Sequence, residues 1–358
     1  MTAAASKTRA RSETKLLVAT SREGSTELTH LPFKSLPLIL RRGDLLVIND
    51  AATLPASFSG SHLRTGLAIE MRLASSRLEE LAEPIRWNAI FFGRGNWRTP
   101  TELRSPPPEL QSGDELEFGH GLRAKVRRVL SQSGRMAEIE FEGEPSVLWH
   151  RMYLAGRPVQ YSHLREDLDL WDVQTVFSGP PVSLEAPSAA FPLSWEIVFE
   201  LERKGIQMVR LTHAAGLSAT GDPEIDAELP FPERYWIPDE TAEAVNQARG
   251  EGRRVIAVGT TVTRALESAV HCNGVADGTV RPGPGIATLK MTPSFQRQVV
   301  SGILSGFHDS GASHLQMLGS FMEPATLAQA YREAEEQGYL AHEFGDSCLI
   351  LTQPRGRF

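Results

Sequence analysis

The stretch VIAVGTTVTRALE, residues 255–267, decides the fold. Its four leading apolar residues predict a strand that is buried on both faces. Gly259 then lets the backbone turn sharply into a helix. A buried strand running directly into a helix is typical of an α/β sheet with parallel strands. Thr260 and Thr261 stand where the helix begins, so their hydroxyls and the free N–H groups of the first turn are predicted to bind an anion or a ribose hydroxyl.

Arg264 and Glu267 follow on the same helix. Their spacing of three residues places both on one helix face, so we predict that they face the ligand loop. The local sequence is equally consistent with a plain helix cap at Thr261 and a surface ion pair between Arg264 and Glu267. The stretch is not a G-x-G-x-x-G fingerprint, which argues against a nicotinamide enzyme and an ordinary Rossmann methyltransferase.

A second buried strand is predicted at residues 45–50, LLVIND. It ends in Asn49 and Asp50, and the carboxyl ends of such strands commonly meet the ligand. The same two residues also suit an Asx-turn. Further along, apolar residues at helical spacing predict helices at residues 195–204, with Ser194 as N-cap, and at residues 295–308.

The region between these parts reads differently. Residues 57–147 contain short alternating segments separated by Gly, Ser and Pro, which are typical of an antiparallel β domain. We therefore predict a mixed α/β core domain, residues 15–56 and 148–358, with a small antiparallel β-barrel domain inserted at 57–147. Residues 1–14 are small, polar and basic, and we expect a disordered tail there.

Composition limits the function classes. The net charge of −7 argues against a large non-specific nucleic-acid surface. Arg123, Lys125 and Arg127 alternate along one predicted strand and either contact RNA phosphates as a local basic patch or form a solvated strand face. No apolar run approaches the length of a membrane helix, so we expect no membrane association. Cys272 and Cys348 are too far apart in the sequence for a metal-binding motif. We expect a cytoplasmic protein, and a monomer.

Six segments occur in the order found in the S-adenosylmethionine:tRNA ribosyltransferase-isomerase family. The chain resembles that family over about residues 15–351. The segments are GDLLVIND at 43–50, QTVF at 174–177, APSA at 186–189, VIAVGTTVTRALES at 255–268, FH at 307–308 with SHL at 313–315, and FGDS at 344–347.

This resemblance implies both a fold and a reaction. The fold is an α/β domain carrying an inserted β-barrel. In the reaction, the ribosyl part of S-adenosylmethionine moves onto the aminomethyl group of a deazaguanine base in tRNA and rearranges, releasing adenine and methionine. S-adenosylmethionine is then a substrate, and we expect no metal.

The resemblance also implies site residues. His213, His308 and Asp346 align with family residues that can transfer protons, although lone histidines are often structural and Asp346 equally suits a turn cap. The predicted substrate-binding residues are Asn49, Asp50, Pro187, Ser188, Gly259, Thr260, Thr261, Arg264 and Glu267.

The chain departs from the family pattern at several positions. Two family arginines are Ala52 and Ser57 here, and a family histidine is Pro192. These changes weaken the case for tRNA more than the case for S-adenosylmethionine. Two alternatives therefore stay open: an enzyme that passes the ribosyl group to a small-molecule acceptor, and a non-catalytic module that binds RNA or an adenosine metabolite.

Overall fold

The computed structural model describes residues 4–22, 25–76, 85–271, 278–309 and 311–352, and it has a mixed α/β architecture. Cys272 lies outside the described residues. The strands are β1 Lys15–Arg22, β2 Ser25–Pro32, β3 Leu45–Asn49, β4 Ala52–Thr53, β5 Ser57–His62, β6 Leu67–Ser76, β7 Arg86–Phe92, β8 Glu115–Phe118, β9 Arg123–Val129, β10 Met136–Phe141, β11 Pro181–Ser183, β12 Gln207–His213, β13 Glu233–Ile237, β14 Val255–Val258, β15 Gly283–Ala287, β16 Gly302–Gly306 and β17 Ser347–Leu351. The α-helices are α1 Leu36–Ile39, α2 Pro145–Ala155, α3 Trp195–Arg203, α4 Pro223–Ala227, α5 Asp239–Gly250, α6 Thr260–His271, α7 Ser313–Leu318 and α8 Pro324–Glu336.

The larger sheet has nine strands in the order β15-β13-β12-β3-β14-β16-β17-β1-β2. Strands β12, β3, β14 and β16 run parallel to one another, so their carboxyl ends share one edge. Every residue of β3 and β14 is buried, as their apolar sequences predict. The strands are buried because helices cover the sheet through two hydrophobic clusters. Helices α5, α6 and α8 contribute residues to one cluster, and α1 and α3 contribute to the other.

The second unit is a closed barrel with strand order β10-β7-β6-β5-β8-β9. All its neighbouring strands are antiparallel, and its interior is apolar, including Phe58, Phe91 and Ile139. The predicted fold class, an α/β core with an inserted antiparallel barrel, is confirmed. The six barrel strands lie within residues 57–141, and we retain 57–147 as the proposed domain limits.

Two local expectations differ from the structure. The helix predicted at residues 295–308 is wrong, because β16 occupies residues 302–306. The carboxylate of Glu267 accepts hydrogen bonds from the backbone N–H groups of residues 298–300, which holds that segment in a non-helical path.

The described part of the expected disordered tail, residues 4–14, packs against the rest of the chain. Ala5 is buried, Lys7 pairs with Asp172 at 2.8 Å and Arg9 pairs with Asp346 at 2.7 Å. Lys7 and Arg9, two of the basic residues that suggested disorder, thus form ion pairs with acidic residues elsewhere in the chain. The expectation of disorder therefore does not fit these residues.

The barrel carries an acid-sensitive contact at Asp114. Burial opposes ionisation, but hydrogen bonds from Arg64, the Gln111 N–H and His62 outweigh it and lower the pKa of Asp114 to about 2. The unfolded value is about 3.9. This contribution to stability is therefore full above about pH 4 and is lost as the pH falls toward 2.

Asp114→Asn should thus destabilise the protein by about 1–3 kcal/mol at pH 6. The difference in melting temperature between the variant and the wild type should shrink between pH 5 and pH 3. Thermal unfolding followed by circular dichroism checks this, and a difference that stays constant over that range would contradict the assignment.

Candidate active site at the carboxyl edge of the parallel strands

Residues from distant parts of the sequence meet where β3, β12, β14 and β16 end. Asn49 ends β3, His213 ends β12, Gly259 follows β14, and His308 lies two residues beyond β16. Loops beyond the carboxyl ends of parallel strands are the usual ligand site in open α/β sheets. This edge is therefore the candidate site.

Asn49 connects three of these elements. Its buried Nδ2 donates to the carbonyl oxygen of His213 at 3.0 Å and to Oγ1 of Thr261 at 3.3 Å. Its Oδ1 accepts from the N–H groups of His213 and Ala51. Asn49 thus positions the end of β12 and the start of α6, and its short-range bond to Ala51 is the expected Asx-type contact.

Asp50, the next residue, contacts strand β12 at the same edge of the sheet. Its Oδ1 accepts a hydrogen bond of 2.6 Å from the hydroxyl of Thr212. Burial is the main influence on this carboxyl group and raises its pKa.

The Gly-Thr-Thr turn lies against the APSA segment. Gly259 has a φ of +97°, which favours glycine, and a β-carbon there would lie 3.4 Å from Cβ of Ala189. Pro187 and Ser188 belong to that segment. Thr260 and Thr261 are half-buried at the first turn of α6. The structure therefore brings these predicted binding residues together.

Arg264 and Glu267 use their polar groups inside the protein. Arg264 is buried, donates to the carbonyl oxygens of Leu289 and Phe231 at 2.9 and 2.8 Å, and pairs with Glu233. Glu267 accepts three backbone N–H groups of residues 298–300 at 2.8–3.0 Å. These contacts connect α6 to the loops beside the site, and the predicted ligand contact of both residues stays a prediction.

His213 is enclosed beside Glu233. Its Nε2 lies 3.4 Å from Oε2 of Glu233, and its side chain is fully buried. Burial, with a smaller contribution from Arg264, lowers the pKa of His213 to about 3, so the imidazole is neutral near pH 7. Burial also raises the pKa of Glu233. Sequence reasoning missed Glu233, because nothing near it in the chain indicates that β13 will carry it to His213.

A histidine pair follows β16. The rings of His308 and His314 stack with centroids 4.9 Å apart, and Nε2 of His308 lies 2.9 Å from Oγ of Ser305. Burial is the main cause that lowers the pKa of His308 well below its usual value and that of His314 to about 4. Both imidazoles are therefore neutral near pH 7. His314 was not among the predicted site residues, although it belongs to the SHL segment at 313–315 that resembles the family.

Both carboxylate oxygens of Asp346 accept hydrogen bonds from neighbouring groups. One carboxylate oxygen accepts from the backbone N–H of Lys15 at 2.6 Å and from Arg9, and the other accepts from the N–H of Leu340 at 2.8 Å. This buried group therefore links the start of β1 to the loop before β17. Its geometry matches the turn-capping alternative.

A second titratable cluster lies in the loops above this edge. The rings of His163 and His342 stack with centroids 3.8 Å apart, and His163 Nε2 lies 2.8 Å from Oε2 of Glu343. These three residues can hold a metal ion, since one ligand atom from each lies within 4.8 Å of the others. The distance between His163 and the other two along the chain explains why no metal motif was visible.

Glu185 is a further group that the sequence did not reveal. It accepts hydrogen bonds from the hydroxyl of Tyr161 and, at 2.8 Å, from the N–H of Ser218. Burial is the main cause that raises its pKa to about 7. A carboxyl group with that pKa can act as an acid or a base at neutral pH.

Open space adjoins the β12 side of the site. A groove of about 390 Å³ is lined by residues that include Thr212, Trp236 and Ile286. A smaller cavity of about 30 Å³ lies between barrel residues such as Trp87 and the loop after His213. The volume of the groove is in the range of small-molecule sites. Asp50 is next to the groove, because its carboxylate accepts a hydrogen bond from Thr212, which lines it.

The predicted basic strand is largely neutralised. Arg123 pairs with Glu117 at 3.0 Å and Arg127 with Glu140 at 2.6 Å. Lys125 lies 3.8 Å from Glu115. These pairs favour the solvated-face interpretation of β9 over a phosphate-binding one.

The comparisons with known proteins agree with this architecture. A family model described as "Queuosine biosynthesis protein" matches residues 1–350. The chain is 32% identical to an S-adenosylmethionine:tRNA ribosyltransferase-isomerase of Thermus thermophilus, covering 94% of this chain and 92% of the relative. It is 29% identical to the protein of the same name from Natranaerobius thermophilus, covering 95% and 93%.

A solved structure is also similar. It is the crystal structure of S-adenosylmethionine tRNA ribosyltransferase from Thermotoga maritima, with a TM-score of 0.51 and 22% identity, covering 98% of this chain and 96% of the other. That likeness supports the fold. Within the described residues, no helix has the length and apolar character required to span a bilayer.

Proposed function

The chain belongs to the queuosine biosynthesis protein family, and we propose that it transfers and isomerises the ribosyl group of S-adenosylmethionine onto a 7-aminomethyl-7-deazaguanine base of tRNA. It is thus an enzyme of the transferase and isomerase type, with S-adenosylmethionine as a substrate. The relatives that carry this name match almost the whole chain.

One observation carries the proposal. Segments that are more than 200 residues apart in the sequence, around Asn49 and around Gly259, meet at one sheet edge with His213 and His308. The hydroxyls of Thr260 and Thr261, with the free N–H groups at the start of α6, suit the ribose or carboxylate of the substrate. Neutral imidazoles beside this turn suit proton transfer.

The reaction requires particular groups from the protein. The sulfonium acidifies the adjacent 5'-carbon of the ribose, so a base must remove a proton there. Adenine must receive a proton as it leaves, and methionine departs as a neutral thioether. We assign the base to the His308–His314 pair because it follows β16 at the same sheet edge as the Gly-Thr-Thr turn, and because burial leaves both imidazoles unprotonated near pH 7. Glu185, with a pKa of about 7, is a candidate proton donor.

Changing Thr260 and Thr261 together to Val should weaken binding of S-adenosylmethionine by about 1–3 kcal/mol, because polar ligand groups lose their partners. Isothermal titration calorimetry measures this directly. The matched control is Thr326→Val, which changes a threonine in the first turn of α8, away from the site. Unchanged affinity in a folded double variant would exclude the role of the two hydroxyls.

A small-molecule acceptor remains the second candidate, and the pairing of Arg123 and Arg127 with glutamates is the observation that favours it. The loss of two family arginines at Ala52 and Ser57 points the same way. Release of adenine from S-adenosylmethionine separates the possibilities. Release only with base-modified tRNA supports the main proposal, and release without tRNA supports the second. Saturable binding with no release would indicate a non-catalytic module.

A further inference from the structure

We propose that His163, His342 and Glu343 form a binding site for a divalent transition-metal ion of the zinc class. The three residues come from two loops that meet above the candidate active site. Their ligand atoms all lie within 4.8 Å of one another. The inference does not depend on the proposed function, because it rests on this arrangement alone.

The geometry is close to what a metal requires. Zinc bonds to imidazole nitrogen and carboxylate oxygen of about 2.0–2.1 Å place tetrahedral ligand atoms about 3.3 Å apart. Nε2 of His163 and Oε2 of Glu343 are already 2.8 Å apart. Binding therefore needs shifts of about 1–1.5 Å in the remaining ligand atoms, which side-chain rotations can supply.

The backbone holds His342 in an uncommon conformation. Its φ is +67°, in the left-handed region that non-glycine residues rarely adopt, and such residues are concentrated at functional sites. In this conformation its ring lies parallel to that of His163, with an interplanar angle of 11°. The fold thus presents two imidazoles side by side.

The surroundings favour a cation and provide further ligands. The carboxylate of Asp309 lies 3.7 Å from Nε2 of His342 and is 61% exposed, so it is free to move toward the ion. The side chains of His163, His342 and Glu343 are 22%, 14% and 26% exposed. The site is therefore sheltered yet reachable from solvent.

The donor set points to the class of ion. Two imidazole nitrogens with one or two carboxylate oxygens suit Zn²⁺, Co²⁺ or Fe²⁺, whereas Mg²⁺ and Ca²⁺ prefer oxygen ligands. The same set with an open position is also found where a metal binds a small ligand or water. We therefore expect selectivity for Zn²⁺ and Co²⁺ over Mg²⁺.

The test uses the untagged full-length protein after dialysis against EDTA. Titration with Zn²⁺ in a calorimeter, and with Co²⁺ followed by visible absorption, should give one bound ion per chain, and Mg²⁺ should give none. His163→Ala and His342→Ala should each weaken Zn²⁺ binding at least about 100-fold, because loss of even an outer partner of a metal ligand costs 10–100-fold. The control His150→Ala changes an exposed histidine on α2 and should bind like the wild type.

Absence of saturable Zn²⁺ and Co²⁺ binding to the wild type would overturn the proposal. So would a bound ion whose affinity is unchanged in Glu343→Gln and in both histidine variants. Circular dichroism of the metal-free variants confirms that a loss of binding does not reflect unfolding.

Discussion

Replacing His308 by alanine is expected to lower the rate of adenine release from S-adenosylmethionine by about 10²–10⁴-fold, the usual contribution of a general acid or base. His308 lies beyond the carboxyl end of β16, next to Ser305 and stacked on His314. Affinity for S-adenosylmethionine should change little, because the Gly-Thr-Thr turn is untouched.

Burial of His308 also sets the expected pH dependence of the wild-type rate. Burial lowers the pKa of His308 well below its usual value, so the neutral form persists as the pH falls from 8 to 6. The wild-type rate should therefore not decline through protonation of His308 in that range.

The control for His308→Ala is His120→Asn, at an exposed position with φ of 59° that Asn tolerates. An alanine variant of His308 that retains full activity would contradict the assignment.

Replacing Glu267 by alanine is expected to destabilise the folded state by about 3–5 kcal/mol, the scale seen when a buried charged network loses one partner. Its carboxylate accepts three backbone N–H groups of residues 298–300, and its side chain is fully buried. Removing it leaves those donors without a partner in the interior, which costs about 1–3 kcal/mol for each unsatisfied group.

Urea unfolding followed by fluorescence gives this free energy of unfolding. The matched control is Glu336→Ala, which truncates an exposed glutamate at the end of α8 and should change stability by less than about 0.5 kcal/mol. A loss below about 1 kcal/mol for Glu267→Ala would show that water satisfies the freed N–H groups.

The sequence predicted the parts of the fold that depend on interactions between residues close together in the chain. The apolar run of β14 and the turn at Gly259 appear as expected, and so does the N-cap of α3, where Oγ of Ser194 accepts from the N–H of Ile197. Alternation of side chains likewise predicted the barrel, because one face of each strand fills its interior.

Tertiary contacts decided the parts that sequence could not predict. Residues 295–308 carry apolar side chains at helical spacing, yet Glu267 accepts hydrogen bonds from the backbone of residues 298–300 and β16 occupies residues 302–306. The sequence predicted that Arg264 faces the ligand loop but did not predict that its guanidinium connects α6 to Glu233 and two loop carbonyls. No local signal indicates such long-range partners.

The candidate site was predictable only where one segment supplied several of its residues. Gly259, Thr260 and Thr261 are adjacent in the sequence and form one turn. The clusters around Glu185 and around His163 and His342 are made by loops far apart along the chain, which meet only in the folded molecule.

The central claim is that the carboxyl edge of the parallel strands transfers the ribosyl group of S-adenosylmethionine to a tRNA base. Mass spectrometry of the nucleosides tests it most directly, after incubation of the protein with S-adenosylmethionine and tRNA containing 7-aminomethyl-7-deazaguanine. We predict that this base gains the mass of the rearranged ribosyl group and that His308→Ala greatly reduces the product. An unchanged base after complete incubation with the wild-type protein would contradict the account.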